Sequence, residues 1–66
     1  MSFCNLTDRE FEVLQYLVLG YSNAEIGEVL CISSHTAKAY VQSIINKLQA
    51  KGRTHVSYIA AKAGIV

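Results

Sequence analysis

His35, Ala39, Gln42 and Asn46 stand at i, i+4, i+7 and i+11, the spacing of one face of an α-helix. Lys38 flanks that row on one side and Lys47 on the other. An imidazole, a methyl group and two amides bordered by cations have the chemistry needed to read base edges between phosphates. Gln42 offers a donor and an acceptor that match an adenine edge. His35, near the start of the row, can hydrogen-bond a base or a phosphate and gains charge below about pH 6.5.

Such a row needs a helix seated on a core. Ala37, Val41, Ile44, Ile45 and Leu48 form the apolar stripe on the opposite side of the same segment. Ser33 precedes it as an N-cap, and a helix is predicted over 34–50. Upstream, Thr7-Asp8-Arg9-Glu10 and Ser22-Asn23-Ala24-Glu25 are capping boxes. The first opens a helix over 8–19, with Leu6 as a hydrophobic staple; Phe11, Leu14, Leu17 and Val18 form its apolar face, and Gly20 ends it. The second opens a short helix over 23–30 that buries Ile26, Val29 and Leu30. Cys31-Ile32-Ser33 then turns directly into the third helix. A short helix, a three-residue turn and a longer helix have the spacing of a helix-turn-helix, although this turn lacks the usual glycine. Gly52 caps a fourth helix over 53–63, with Val56, Ile59, Ala60 and Ala63 as a narrow stripe. That stripe either closes the domain or meets a partner chain. The predicted class is all-α, a four-helix bundle-like domain containing a helix-turn-helix.

Sixty-six residues make one small domain with too little core to enclose a substrate pocket, and no nucleophile–base pair or paired carboxylates suggest an enzyme. No apolar run approaches the roughly 18 to 20 residues of a membrane span, and the start MSFCNLTDRE lacks the layout of a signal peptide; the expected location is the cytoplasm. Residues 1–33 carry Asp8, Glu10, Glu12, Glu25 and Glu28 against Arg9 alone, a net −4. Residues 34–66 carry Lys38, Lys47, Lys51, Arg53 and Lys62 with no acid, a net +5. This asymmetry predicts one basic surface on an acidic module. Cys4 and Cys31 are expected to be thiols. Zinc binding by these cysteines with His35 and His55 ranks low, because neither a CxxC nor an HxxxH pair occurs and a liganded His35 would spoil the polar face.

Leu6-Thr7, Arg9-Glu10, Val13-Leu14, Gly20, Ser22-Asn23, Glu25-Ile26, Ile32-Ser33, Thr36, Lys38, Ile44, Lys47-Leu48, Arg53-Thr54 and Gly64 together resemble the LuxR-type (GerE- or FixJ-type) DNA-binding domain of bacterial transcription regulators, from Leu6 to about Val66. The resemblance implies double-stranded DNA as partner, the third helix in the major groove, and a homodimer on DNA through Val56, Ile59, Ala60 and Ala63. It implies base-facing roles for Lys38, Ala39 and Gln42, which His35 joins from the residue reading. Asn23, Lys47, Arg53 and Thr54 fall on the phosphate side, and Ser34, Thr36, Tyr40 and Asn46 border the same face within reach of phosphates. RNA polymerase is a further expected partner; no cofactor and no small-molecule ligand are expected. Three residues depart from the family pattern: Ala37 and Ser57 where valine is usual, and Tyr40 where histidine is usual. Most relatives carry this domain at the end of a longer regulator, so the chain is expected to be either a piece of one or a free-standing member. The expected organisation is a disordered tail over 1–5 and the DNA-binding domain over 6–66.

Overall fold

The computed structural model describes residues 6–64, so the expected disordered tail and the Cys4 thiol lie outside the described residues. Four helices follow one another: α1 (Asp8–Val18), α2 (Asn23–Leu30), α3 (Ser34–Lys47) and α4 (Arg53–Lys62). No strand occurs among the described residues.

Both predicted capping boxes are present. Thr7 Oγ1 accepts from the Glu10 N–H at 3.1 Å while Glu10 Oε1 accepts from the Thr7 N–H at 2.9 Å. Ser22 and Glu25 make the same reciprocal pair at 3.2 and 2.8 Å. Ser33 caps α3 by accepting from the Thr36 N–H. Each box satisfies backbone donors that a helix start leaves unpaired, so the entry of the chain into each helix is fixed locally.

The first three helices end alike. Tyr21 N–H donates to Tyr16 O and Gly20 N–H to Leu17 O; Ile32 and Cys31 repeat this on Gly27 and Glu28, and Ala50 and Gln49 on Ile45 and Asn46. These are Schellman endings, which place one residue in the left-handed region. Gly20 takes it at φ 94° after α1, but Cys31 (φ 60°) and Gln49 (φ 55°) take it after α2 and α3. The ending at Gln49 stops α3 at Lys47, three residues before the predicted boundary. After α1 the ending is reinforced by the Tyr16 and Tyr21 rings, whose centroids are 5.2 Å apart.

The core joins all four helices: Val13, Leu14 and Leu17 from α1, Ile26 from α2, Ala37, Val41 and Ile44 from α3, Leu48 after it, and Val56 and Ala60 from α4. Each large aliphatic side chain among them contributes about 1.5–3 kcal/mol by leaving water. Leu6 and Phe11 pack on the edge of this cluster, the positions of a hydrophobic staple.

The helix-turn-helix closes through Gly27. A Cβ on this buried residue would lie 2.7 Å from Ile32 O and 3.2 Å from Ser34 N, so only glycine lets α2 approach the turn and the start of α3 this closely. The left-handed position for which a turn glycine is usual is taken by Cys31, while Gly27 provides the close approach. Val29, expected on the buried side of α2, is instead 45% exposed. Arg9 ties α1 to the same region: its Nη2 donates to Leu30 O at 3.2 Å at the carboxyl end of α2, and its Nη1 to Glu12 at 3.1 Å.

Candidate nucleic-acid interface

The buried stripe of α3 fixes which side of the helix faces outward. Ala37, Val41 and Ile44 are buried. His35, Lys38, Ala39, Gln42 and Asn46 are exposed, as are Ser34 and Thr36. Within the described residues the side chains of His35, Lys38, Gln42 and Asn46 have no hydrogen-bond or ion-pair partner. The row is therefore open to an outside partner: one ammonium, two amides, an imidazole and a methyl group, with no acid on the helix. Thr36 Oγ1 accepts from Ser33 Oγ at 2.9 Å, which draws that hydroxyl toward the cap. Tyr40 is half-buried on the core edge near Arg9.

Two cations expected to face phosphates are engaged within the chain. Lys47 Nζ lies 2.8 Å from Glu10 Oε1. Glu10 is itself buried, at 5% exposure, and its other oxygen accepts from Ser43 Oγ at 2.6 Å. Burial alone would raise the Glu10 pKa, but hydrogen bonds from Lys47, Ser43 and the Thr7 backbone, with the Lys47 charge, lower it to about 2. A buried carboxylate without its cation is costly, so this pair competes with the phosphate role expected of Lys47, whose residue as a whole stays exposed.

Arg53 donates through Nη1 to Asn23 Oδ1 at 2.7 Å and through Nη2 to Tyr21 O. These bonds join the start of α4 to the start of α2. Arg53 and Asn23, expected separately on the phosphate side, form one unit, and both stay partly exposed. Thr54 is exposed in the first turn of α4, where Gly52 offers no side-chain cap.

On α4 the predicted partner stripe divides. Val56 and Ala60 are fully buried in the domain's own core, so they have no surface to offer a second chain, and their expected dimer role is corrected. Ile59 is half-buried and Ala63 exposed. With Tyr58 and Lys62 they line a shallow, mostly apolar groove. Lys62 Nζ sits 5.8 Å from the Tyr58 ring centre, and His55 stacks on that ring at 6.2 Å. Ser57 is half-buried.

Among the described residues no group of three His, Cys, Asp or Glu is placed to hold a metal ion. His55 Nδ1 accepts from the Lys51 N–H at 2.9 Å, and Cys31 is an exposed thiol. No described helix is long and apolar enough to cross a membrane. Reading the sequence missed the Glu10–Ser43–Lys47 cluster. Its available signal was the i, i+4 spacing of Ser43 and Lys47 beside the buried stripe, facing an acid that already had a capping role.

Residues 4–60 match the family model described as bacterial regulatory proteins, luxR family. The chain is 46% identical over 61 residues to the transcriptional regulatory protein DegU of Brevibacillus brevis, covering 92% of this chain and 26% of that protein. It is 41% identical over 61 residues to the transcriptional regulatory protein LnrK of Bacillus subtilis, with 92% and 28% covered. It is 36% identical over 61 residues to the response regulator protein VraR of Staphylococcus aureus, with 92% and 29% covered. The chain thus spans just over a quarter of the length of these relatives.

Proposed function

The chain belongs to the luxR family of bacterial regulatory proteins, and on that premise we propose that it binds double-stranded DNA sequence-specifically, to regulate transcription, with α3 in the major groove. The observation that carries the reading is the exposed, acid-free and internally unpartnered row on α3. Lys38 meets a guanine edge, Gln42 an adenine edge, and Ala39 a thymine methyl, the pairings these side chains favour. His35 and Asn46 extend the row at its two ends. Ser34, Thr36 and Tyr40 border it on α3, and the exposed Thr54 and the partly exposed Arg53–Asn23 unit meet phosphates beside it.

Two copies pair through the α4 groove of Tyr58, Ile59, Lys62 and Ala63, so that two α3 helices enter successive major grooves of one duplex. RNA polymerase is the neighbour such a dimer meets at a promoter, in the cytoplasm.

Selection of bound duplexes from a random pool tests this reading. A two-fold motif is expected. On the selected duplex, Gln42→Ala weakens binding by about 1–3 kcal/mol and relaxes preference at one base pair only. Replacing that adenine by 7-deazaadenine, which lacks the N7 acceptor, should cost the wild type affinity and leave Gln42→Ala unmoved. Absence of duplex binding at low salt, or affinity independent of salt, would instead make the domain a protein-interaction module.

A further inference from the structure

We propose that Glu10 is a positioning residue for α3: its buried carboxylate sets the rotation and axial position of the helix carrying Lys38, Ala39 and Gln42. It thereby governs discrimination between DNA sequences rather than attraction to phosphates. The proposal rests on the DNA-binding reading above.

Glu10 is the only charged residue buried among the described residues. One oxygen, Oε1, takes the Thr7 N–H at 2.9 Å and Lys47 Nζ at 2.8 Å; the other takes Ser43 Oγ at 2.6 Å. The Thr7 bond is part of the α1 capping box, so the carboxylate is anchored to α1 before it meets α3. Ser43 and Lys47 are four residues apart on α3, about 6 Å along the axis at 1.5 Å per residue. Donors from two successive turns that converge on one fixed carboxylate oppose both sliding of the helix and rotation about its axis.

Ala37, Val41 and Ile44 seat the helix on the core, but apolar burial is non-directional and tolerates small rotations that hydrogen bonds resist. The amino half of α3 is seated by the close approach at Gly27. The carboxyl half has the Glu10 contacts, and Gln42 and Asn46 directly precede the two residues that Glu10 holds. A buried ion pair is a poor source of stability compared with apolar residues of the same volume; a single allowed geometry is what these bonds add. Base edges demand that geometry, whereas phosphate attraction tolerates small rotations.

The test uses the duplex selected from the random pool and a scrambled duplex of equal length. The double variant Glu10→Met/Lys47→Met removes the ion pair without leaving either charge buried alone. Its ratio of scrambled to selected Kd should fall about tenfold or more, the scale of one lost base contact. Its Kd on the scrambled duplex and its salt slope should stay at the wild-type values. Circular dichroism and thermal melting establish that the variant is folded; should it not be, Ser43→Ala, which keeps the ion pair, is expected to lower the same ratio about threefold. An unchanged ratio in a folded variant overturns the positioning role. So does a salt slope shallower by about one, which would make Lys47 a phosphate contact. A wild-type chain that binds neither duplex brings down the DNA-binding reading itself, a result distinct from either.

Discussion

Cys31 and Glu10 show how single side chains act through backbone geometry and burial rather than through the DNA-facing row. Cys31 holds φ 60° at the end of α2 with its side chain exposed. A left-handed conformation costs an ordinary residue about 1–2 kcal/mol, while glycine costs about 0.4–1 kcal/mol through the entropy of the unfolded chain. The first term is larger and no core contact is lost, so Cys31→Gly should stabilise the domain by about 0.5–1 kcal/mol. A rise in the urea midpoint at unchanged slope checks it; a fall would mean that the thiol makes contacts worth more than the strain. Glu10 leads to a pH prediction of definite sign. Its folded pKa lies near 2 against an ordinary value of 4.5, so the carboxylate form is favoured by folding. Its contribution is complete above about pH 4.5 and disappears as pH falls toward 2. The shift corresponds to no more than about 3 kcal/mol, and less in a domain so small that solvent is close on every side. Wild type should therefore lose urea resistance between pH 5 and 2.5 more steeply than Glu10→Gln. Parallel curves would show that the Lys47 and Ser43 bonds do not distinguish the two protonation states.

The helices themselves were largely legible in the sequence, because the signals that start them are local. Thr7–Glu10, Ser22–Glu25 and Ser33 each opened a helix where predicted, and the apolar spacing along α3 gave both its buried and its exposed side. What the sequence concealed depends on neighbours distant along the chain. Nothing near Gln49 marks it as a left-handed residue, so α3 read as three residues too long. Val56 and Ala60 are apolar at helical spacing whether they face their own core or a partner; only the fold assigns them to the core. Lys47 and Arg53 read as outward cations because their partners lie 37 and 30 residues earlier in the chain. Gly27 is the clearest instance at this scale. In a helix interior, alanine is preferred to glycine by about 1 kcal/mol, yet here a Cβ would sit 2.7 Å from the Ile32 carbonyl oxygen and close to Ser33 and Ser34 backbone atoms. Backbone cannot move aside as a flexible side chain would, and overpacking of this kind costs about 1–3 kcal/mol. Gly27→Ala should therefore be net destabilising despite its better propensity, with amide shifts concentrated at Ile32 to Thr36. A more stable Gly27→Ala domain would mean that α2 and the turn are not held at this separation.

For the whole molecule, the sequence's opposing charges are reapportioned by the fold. The Lys47–Glu10 pair cancels internally, and Arg9 pairs with Glu12, leaving Asp8, Glu25 and Glu28 as the remaining acids. Lys62 belongs to the α4 groove and Lys38 is assigned a base edge, so Lys51 and Arg53 are the cations left for phosphates. Two phosphates neutralised per copy give a slope of log affinity against log salt near −2, at about −0.9 for each; a dimer engaging both half-sites should show about twice that. So few charges bind weakly alone, so the proposed pairing of two copies is expected to be the main source of affinity. The described residues extend 30 × 20 × 20 Å, small enough for two domains to sit side by side on half-sites about 34 Å apart, one turn of B-DNA. Adding about five base pairs between the half-sites rotates one to the opposite face of the duplex. A symmetric pair joined through α4 then cannot engage both. Affinity should drop to that of a single half-site and the salt slope should halve, while adding a full turn of about ten base pairs should restore little, because the α4 contact cannot stretch. Titration of the three duplexes at several salt concentrations separates these outcomes. Equal affinity and equal slope on all three would mean that each copy binds DNA independently, and the α4 groove would then have no part in DNA binding.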